Sequence, residues 1–208
     1  MDKAQMLRFI VVVVCLSAGL SVARADTVSD CFQSKNLDLE ISACTALIAM
    51  SPLGKSDLVD VYISRARAYV AIGNFDAAIG DYDKAIDLKP DDPALHDKRA
   101  RAHSAKGDNE RAIVDATWAI GRDPENAAYL NDRAWIYFKA GKAAEALLDA
   151  NKALDLRPDD AHTLDTRGHI LEVLGQREAA TADFRLALVL NSGLKSSRDA
   201  LARLGANP

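Results

Sequence analysis

Residues 59–92 read VDVYISRARAYVAIGNFDAAIGDYDKAIDLKPDD, and their skeleton returns three times more at a step of 34. Gly73, Gly107, Gly141 and Gly175 keep that step. So do Arg65, Arg99, Arg133 and Arg167, Ala78, Ala112, Ala146 and Ala180, and Asp81, Asp115, Asp149 and Asp183. Pro90, Pro124 and Pro158 close three of the units, and Ser192 stands where a fourth proline is expected. Chance explains one such column; several columns sharing one period mark an internal repeat.

Each unit has a physical logic. A first helix, A, begins behind a residue able to cap its free N–H groups: Asp92, Asn126 and Asp160. It carries a small residue where a partner helix must approach, at Ala66, Ala100, Ala134 and Gly168. It ends at the glycine column, where a left-handed residue stops a helix at little cost. A second helix, B, follows, and proline ends the unit because it cannot continue the helical ladder. One such hairpin cannot bury its apolar face alone, so neighbours stack into a solenoid. The expected organisation is a degenerate N-terminal capping hairpin at 26–58, four units at 59–92, 93–126, 127–160 and 161–192, and a C-terminal capping helix and tail at 193–208. Residues 40–48 align with helix B of the first unit at a step of 38, placing Leu47 opposite Ala85. Leu201 and Leu204 form the inner face of the last helix.

The combination resembles the tetratricopeptide repeat (TPR) family. The first unit shows Tyr62, Ala66, Tyr69, Gly73, Ala78, Tyr82, Ala85 and Pro90 in that family's spacing, and the resemblance covers about residues 59–192. It implies an all-α fold, a right-handed α-solenoid of tandem helix-turn-helix repeats. It also implies a non-enzymatic scaffold that holds a protein or peptide on a concave groove lined by the A helices. The carboxylate clamp of the family's chaperone-tail binders is missing: its positions hold Ile63, Arg67, Lys98, Ala128 and Asp132.

The first 25 residues differ from the rest. Lys3 and Arg8 precede an unbroken apolar run from Phe9 to Leu16, and Ala23-Arg24-Ala25 fits a small-x-small cleavage site. The expectation is a signal peptide cleaved after Ala25 and a periplasmic or secreted protein. An uncleaved anchor is the competing reading, but the apolar stretch is shorter than the ~20 residues that span a bilayer. Cys31 and Cys44 remain after cleavage. An even pair in an oxidising compartment reads as a disulfide, with buried free thiols or a metal pair as alternatives. The whole chain holds 26 basic and 30 acidic residues and no basic run. Nucleic acid therefore has no electrostatic footprint, and no membrane contact is expected after cleavage.

Against the constant columns, three columns of helix A drift. One reads Arg67, Arg101, Trp135, His169; another Ile63, Asp97, Asn131, Asp165; a third Val70, Ser104, Phe138, Glu172. Constant columns read as scaffold, with the Arg and Asp columns expected to pair with each other. Drifting columns are where a ligand could be distinguished, so Arg67, Arg101, Asn131, Trp135, Phe138 and His169 are the candidate binding residues. Trp135 is the sharpest, because large aromatics on a groove are typical interface anchors; packing into the neighbouring helix competes. Arg67 and Arg101 could clamp a carboxylate.

His96 and His103 occupy the columns of Tyr62 and Tyr69 and read as packing residues. His162, Asp165, His169 and Glu172 form a polar stripe, but the two histidines lie about 10 Å apart along the helix and do not readily share an ion. No nucleophile triad, phosphate loop or His-Glu-x-x-His motif is present. The expectation is therefore no catalytic residue, no cofactor and no metal. A structural cell-envelope role, by self-association or assembly into a larger complex, is the alternative function. The partner's identity is not written in the chain.

Overall fold

The computed structural model describes residues 26–33, 35–50 and 53–206; the expected leader and its cleavage site lie outside them. Among the described residues every regular element is a helix. After a helical segment at 26–31 come ten helices: α1 (Leu37–Ala49), α2 (Lys55–Ala71), α3 (Phe75–Leu88), α4 (Pro93–Lys106), α5 (Asn109–Arg122), α6 (Ala127–Lys139), α7 (Ala143–Leu156), α8 (Ala161–Val173), α9 (Arg177–Leu190) and α10 (Lys195–Arg203). This is an all-α fold of tandem helix–turn–helix repeats. It divides into two compact units, one ending at Pro90 and the other beginning at Asp91. No helix among the described residues is long and apolar enough to cross a membrane.

In the first unit, Cys31 and Cys44 form a disulfide that ties the 26–31 segment to α1. Both are fully buried, in a cluster with Ala43, Leu47 and Val61. Closing so short a loop adds ~3 kcal/mol in the chain-entropy model. The Asn36 side chain caps α1 by accepting from the backbone N–H of Leu39. Helix α2 starts at Lys55, one turn before the repeat frame opens at Val59, so residues 55–58 belong to the first A helix rather than to the cap. Gly54 precedes it in extended backbone, and Lys-Ser-Asp-Leu contains nothing that would stop a helix.

In the second unit the caps act as their residue types dictate. The carboxylate of Asp92 accepts from Ala94 N–H behind Pro93, Asn126 from Ala128 and Asp160 from Thr163. Gly107 sits at φ 93°, the left-handed region that a side chain would strain, and Asp108 N–H reaches back to His103 C=O. That is the bond pattern of a glycine-terminated helix.

Packing here proceeds by hand-over. Ala100, Ala112 and Ala116 line a hollow filled by Ile136 of the next A helix. Ala134, Ala146 and Ala150 line the next, filled by Ile170. In the last repeat, Leu201 and Leu204 of α10 close on Leu171, Ala180 and Phe184. Leu204 stands 34 residues after Ile170, so α10 continues the filling column after the repeats have ended. Each repeat of this unit thus completes its core with a neighbour's side chain, the nearest-neighbour stacking that defines a repeat protein. Gly168 replaces the alanine of the earlier units because a Cβ there would lie 2.6 Å from the buried Phe184 ring.

Candidate functional site

The constant Arg and Asp columns pair within every repeat. Nε and Nη2 of Arg133 donate to the two carboxylate oxygens of Asp149 at 2.6 and 2.9 Å. Arg65–Asp81, Arg99–Asp115 and Arg167–Asp183 repeat the fork with distances of 2.6–2.8 Å. The third guanidinium nitrogen reaches the preceding B helix: Arg133 Nη1 bonds Thr117, Arg167 Nη1 bonds Asn151, and Arg65 Nη1 bonds Thr45. Thr117 and Asn151 share one column, and the 38-residue step brings Thr45 into it. Arg65, Arg133 and Arg167 thus each hold three helices together and are not available to a ligand.

The drifting columns of the second unit lie on α4, α6 and α8. Trp135, Phe138 and His169 come together there: the Trp135 and Phe138 rings are 5.2 Å apart, and His169 lies 6.2 and 6.3 Å from them. His169 in turn meets the fully buried Phe184 edge-on at 4.9 Å. The cluster therefore runs from the core to the surface, where Trp135 keeps 39% of its area exposed. One side of Trp135 packs against these rings and the other faces solvent. Burial holds the His169 imidazole below its ordinary pKa, against the opposing pull of Asp165 and Glu172. It is a neutral packing ring at pH 7.

The polar stripe of α8 is occupied by the capping helix. Arg203 forks onto Glu172 at 2.9 and 2.6 Å, and Ser196 and Ser197 donate to Asp165. Among the described residues no group of three or more metal-ligating side chains comes together. His96 stacks on Trp118 with centroids 3.7 Å apart, and His103 is buried; both pack as their columns indicate.

The two candidate arginines differ from a carboxylate clamp. Arg67, in the first unit, bonds Glu40 at 2.6 Å, and Glu40 is fully buried. Glu40 was legible as an anomaly, because the 38-residue step sets it in the column otherwise held by Ala78, Ala112, Ala146 and Ala180. Ser64 and Arg67 are the partners that admit it there. Arg101 is well exposed and stands 3.9 Å from Asp132.

Arg101 and Asp132 border two clefts. One, of about 280 Å³, is completed by Ser104, Ala105, Trp135, Ile136 and Lys139. The other, of about 400 Å³, is completed by Ala128, Asn131, Arg157, Asp160, His162 and Thr163. Beside Asp132 lies Asp97, 6% exposed, whose Oδ1 has no hydrogen-bond partner; Asn131 Oδ1 has none either. Burial, and then the charge of Asp132, push Asp97 up to about 7, with Arg101 and Lys98 opposing. Burial raises Asp132 as well. Two carboxylates this close do not both ionise readily. The column analysis placed Asp97 on this face but gave no signal that it was buried against a second acid from another column.

A stack of helical hairpins, constant in its packing columns and varied along the A helices, defines a repeat scaffold. Two family models match it, "TPR repeat" over residues 66–107 and "Tetratricopeptide repeat" over residues 97–161. Residues 66–161 are tetratricopeptide repeats.

Among solved structures, the TPR domain of Arabidopsis OM64 is 27% identical, with TM-score 0.52 over 54% of this chain and 93% of that one. The second TPR domain of human RPAP3, in complex with the HSP70 peptide SGPTIEEVD, is 28% identical, with TM-score 0.50 over 55% and 99%. A thermophilic TPR protein of Thermus thermophilus covers more, 81% of this chain and 90% of that one at TM-score 0.68. It is 17% identical and shows the fold alone. No curated protein is similar enough in sequence to stand as a relative.

Proposed function

We propose that this protein is an exported, non-enzymatic scaffold that holds a peptide or extended protein segment on the A-helix face of residues 91–208. The observation that carries the reading is the Trp135–Phe138–His169 cluster, a rigid aromatic step anchored in the core and half open to solvent beside a cleft. A pre-organised aromatic of this kind binds with little loss of conformational entropy, and such residues dominate interface energetics. The peptide seated on the RPAP3 domain supports the same use of the fold. Asn131 and Arg101 border the adjoining clefts and would contact the segment's polar groups. Arg67, whose side chain stays 54% exposed, is engaged by the buried Glu40. The apolar start of the chain supports export, with Asp26 as the first mature residue.

The test starts with protein purified from a periplasmic extract, where N-terminal sequencing should begin at Asp26. Panning it against a displayed random-peptide library should enrich a family of peptides. Trp135→Ala should weaken the selected peptides by ~10-fold or more, as for an interface hot spot, with the melting curve unchanged. Enriched peptides that bind this variant as well as wild type would move the site elsewhere.

A second reading has its own observation. Val114 and Leu148, one period apart on α5 and α7, are 68% and 71% exposed. Paired apolar exposure on B helices suits self-association or assembly into an envelope complex. Light scattering decides: a monomer at tens of micromolar removes this reading, and a dimer dissociated by Leu148→Glu establishes it.

A further inference from the structure

The acid pair on the A-helix face satisfies itself only in part: Asp97 and Asp132 share a side-chain hydrogen bond, and one oxygen of Asp97 is left over. Asp97 is buried on α4, and its Oδ1 accepts no hydrogen bond. A buried acceptor left unsatisfied forfeits its hydration and gains nothing in return. Asp132 faces it from α6, and the neighbouring Asn131 Oδ1 is a second unpaired acceptor. Lys98, next to Asp97 in the chain, leaves that oxygen unpaired, and neither arginine of the cleft fills the position. Arg101 is 64% exposed and 3.9 Å from Asp132, and Arg157 is engaged by Asp160 at 3.0 Å. Two acceptors, Asp97 Oδ1 and Asn131 Oδ1, thus stay without a donor beside Asp132, which lines the cleft with Asn131. A ligand carboxylate is disfavoured, because Asp132 and Asp160 line the cleft and its two arginines, Arg101 and Arg157, already stand beside them. A bare metal ion is disfavoured too, since no three ligating side chains converge among the described residues. The missing chemistry is a cation rich in N–H donors.

We propose that Asp97, Asn131 and Asp132 form a pocket for a basic side chain, Lys or Arg, of the segment bound on this face. The inference rests on the groove reading above and gives it a chemical class of partner, opposite in charge to the acidic SGPTIEEVD tail seated on the RPAP3 domain. Asp132 lines both clefts, so the basic side chain enters directly beside the one flanked by Trp135. The segment read by this face therefore places a basic residue next to an apolar or aromatic one. Its cation takes up the charge that Asp97 and Asp132 cannot both carry alone. The guanidinium is the better match, because it offers five donors in a planar fork.

Two arms test this. In the first, acetyl-arginine amide is titrated to millimolar levels into the intact protein and followed by NMR. The Asn131 side-chain amide signals should shift, acetyl-norleucine amide should leave them unmoved, and Asp97→Asn with Asp132→Asn should abolish the response. In the second, library-selected peptides should carry Lys or Arg at one constant position. Replacing that residue by norleucine, or using the Asp97→Asn protein, should weaken binding by ~10-fold or more, the scale of a charged pair at an interface. Silence of the amide signals together with no basic preference in the peptides overturns the pocket. Peptides that depend on Trp135 yet ignore Asp97 overturn the pocket and leave the groove standing. An arginine response in the cleft, with selected peptides indifferent to Trp135, sinks the groove alone.

Discussion

Arg133→Met is expected to lower the unfolding free energy by about 3–5 kcal/mol, the scale of breaking a buried ion pair from one side. Methionine keeps the apolar stem and the helix propensity, so the loss isolates the guanidinium. Three bonds go at once: the two to Asp149, and the one at 3.2 Å to Thr117. Asp149 is then left 7% exposed with a charge and no partner. The guanidinium also lies 5.6 Å from the Tyr137 ring. Urea unfolding followed by circular dichroism measures the loss, and a change below about 1 kcal/mol would show that solvent replaces the pair. Arg133→Met combined with Asp149→Leu should recover much of the loss, because no uncompensated charge remains. Lysine should not substitute, since a point charge cannot reproduce the planar fork.

Asp97→Asn should do the opposite, and with a pH signature. The folded protein holds this carboxyl at about 7, well above the ~3.9 of an unfolded chain. The folded state binds that proton more tightly than the unfolded state. The stability so contributed is fully present below about pH 4, and it is lost as pH rises through the folded value near 7. Asparagine removes the titration. The variant should match wild type near pH 4 and be more stable by up to about 4 kcal/mol above pH 8, the free energy of a shift of that size. The charged neighbours that set the effect are Lys98 and Arg101 on α4, and Asp132 on α6. Tyr129 of α6 senses the same charge and is raised mainly by burial. The buried imidazoles of His103 and His169, both held low, contribute the reverse slope to both proteins and cancel in the difference. Denaturant melts at pH 4, 6 and 8 give the answer, and a difference independent of pH would show that Asp97 is ionised throughout. A more stable variant that has lost its basic ligand would be the usual exchange of stability for function.

The repeat itself was legible because packing obliges it. Gly107 must be glycine for its backbone angle, and Ala100, Ala112 and Ala116 must be small for Ile136 to enter. Such demands act on single residues at fixed spacing, so they leave columns. The Arg and Asp pairing was readable for the same reason. The site was legible only as a surface. Drift along the A helices located Trp135, Phe138 and His169 together, but nothing in the spacing distinguished an open aromatic from a buried one. Arg67 drifted for an internal reason, the buried Glu40 on another helix.

By itself, then, the sequence determined the 34-residue unit, its caps, its helix stops, the ion pair inside each repeat and the cysteines available to close the N-terminal segment. These are local demands, or demands between positions a constant distance apart. Tertiary structure alone decided which polar groups found partners. It paired Arg67 with the buried Glu40 and covered Asp165 and Glu172 with α10. It also set Asp97 against Asp132 with an acceptor left empty. Burial and hydrogen-bond satisfaction depend on every neighbour of an atom, and those neighbours come from helices whose order of stacking a column of residues does not contain.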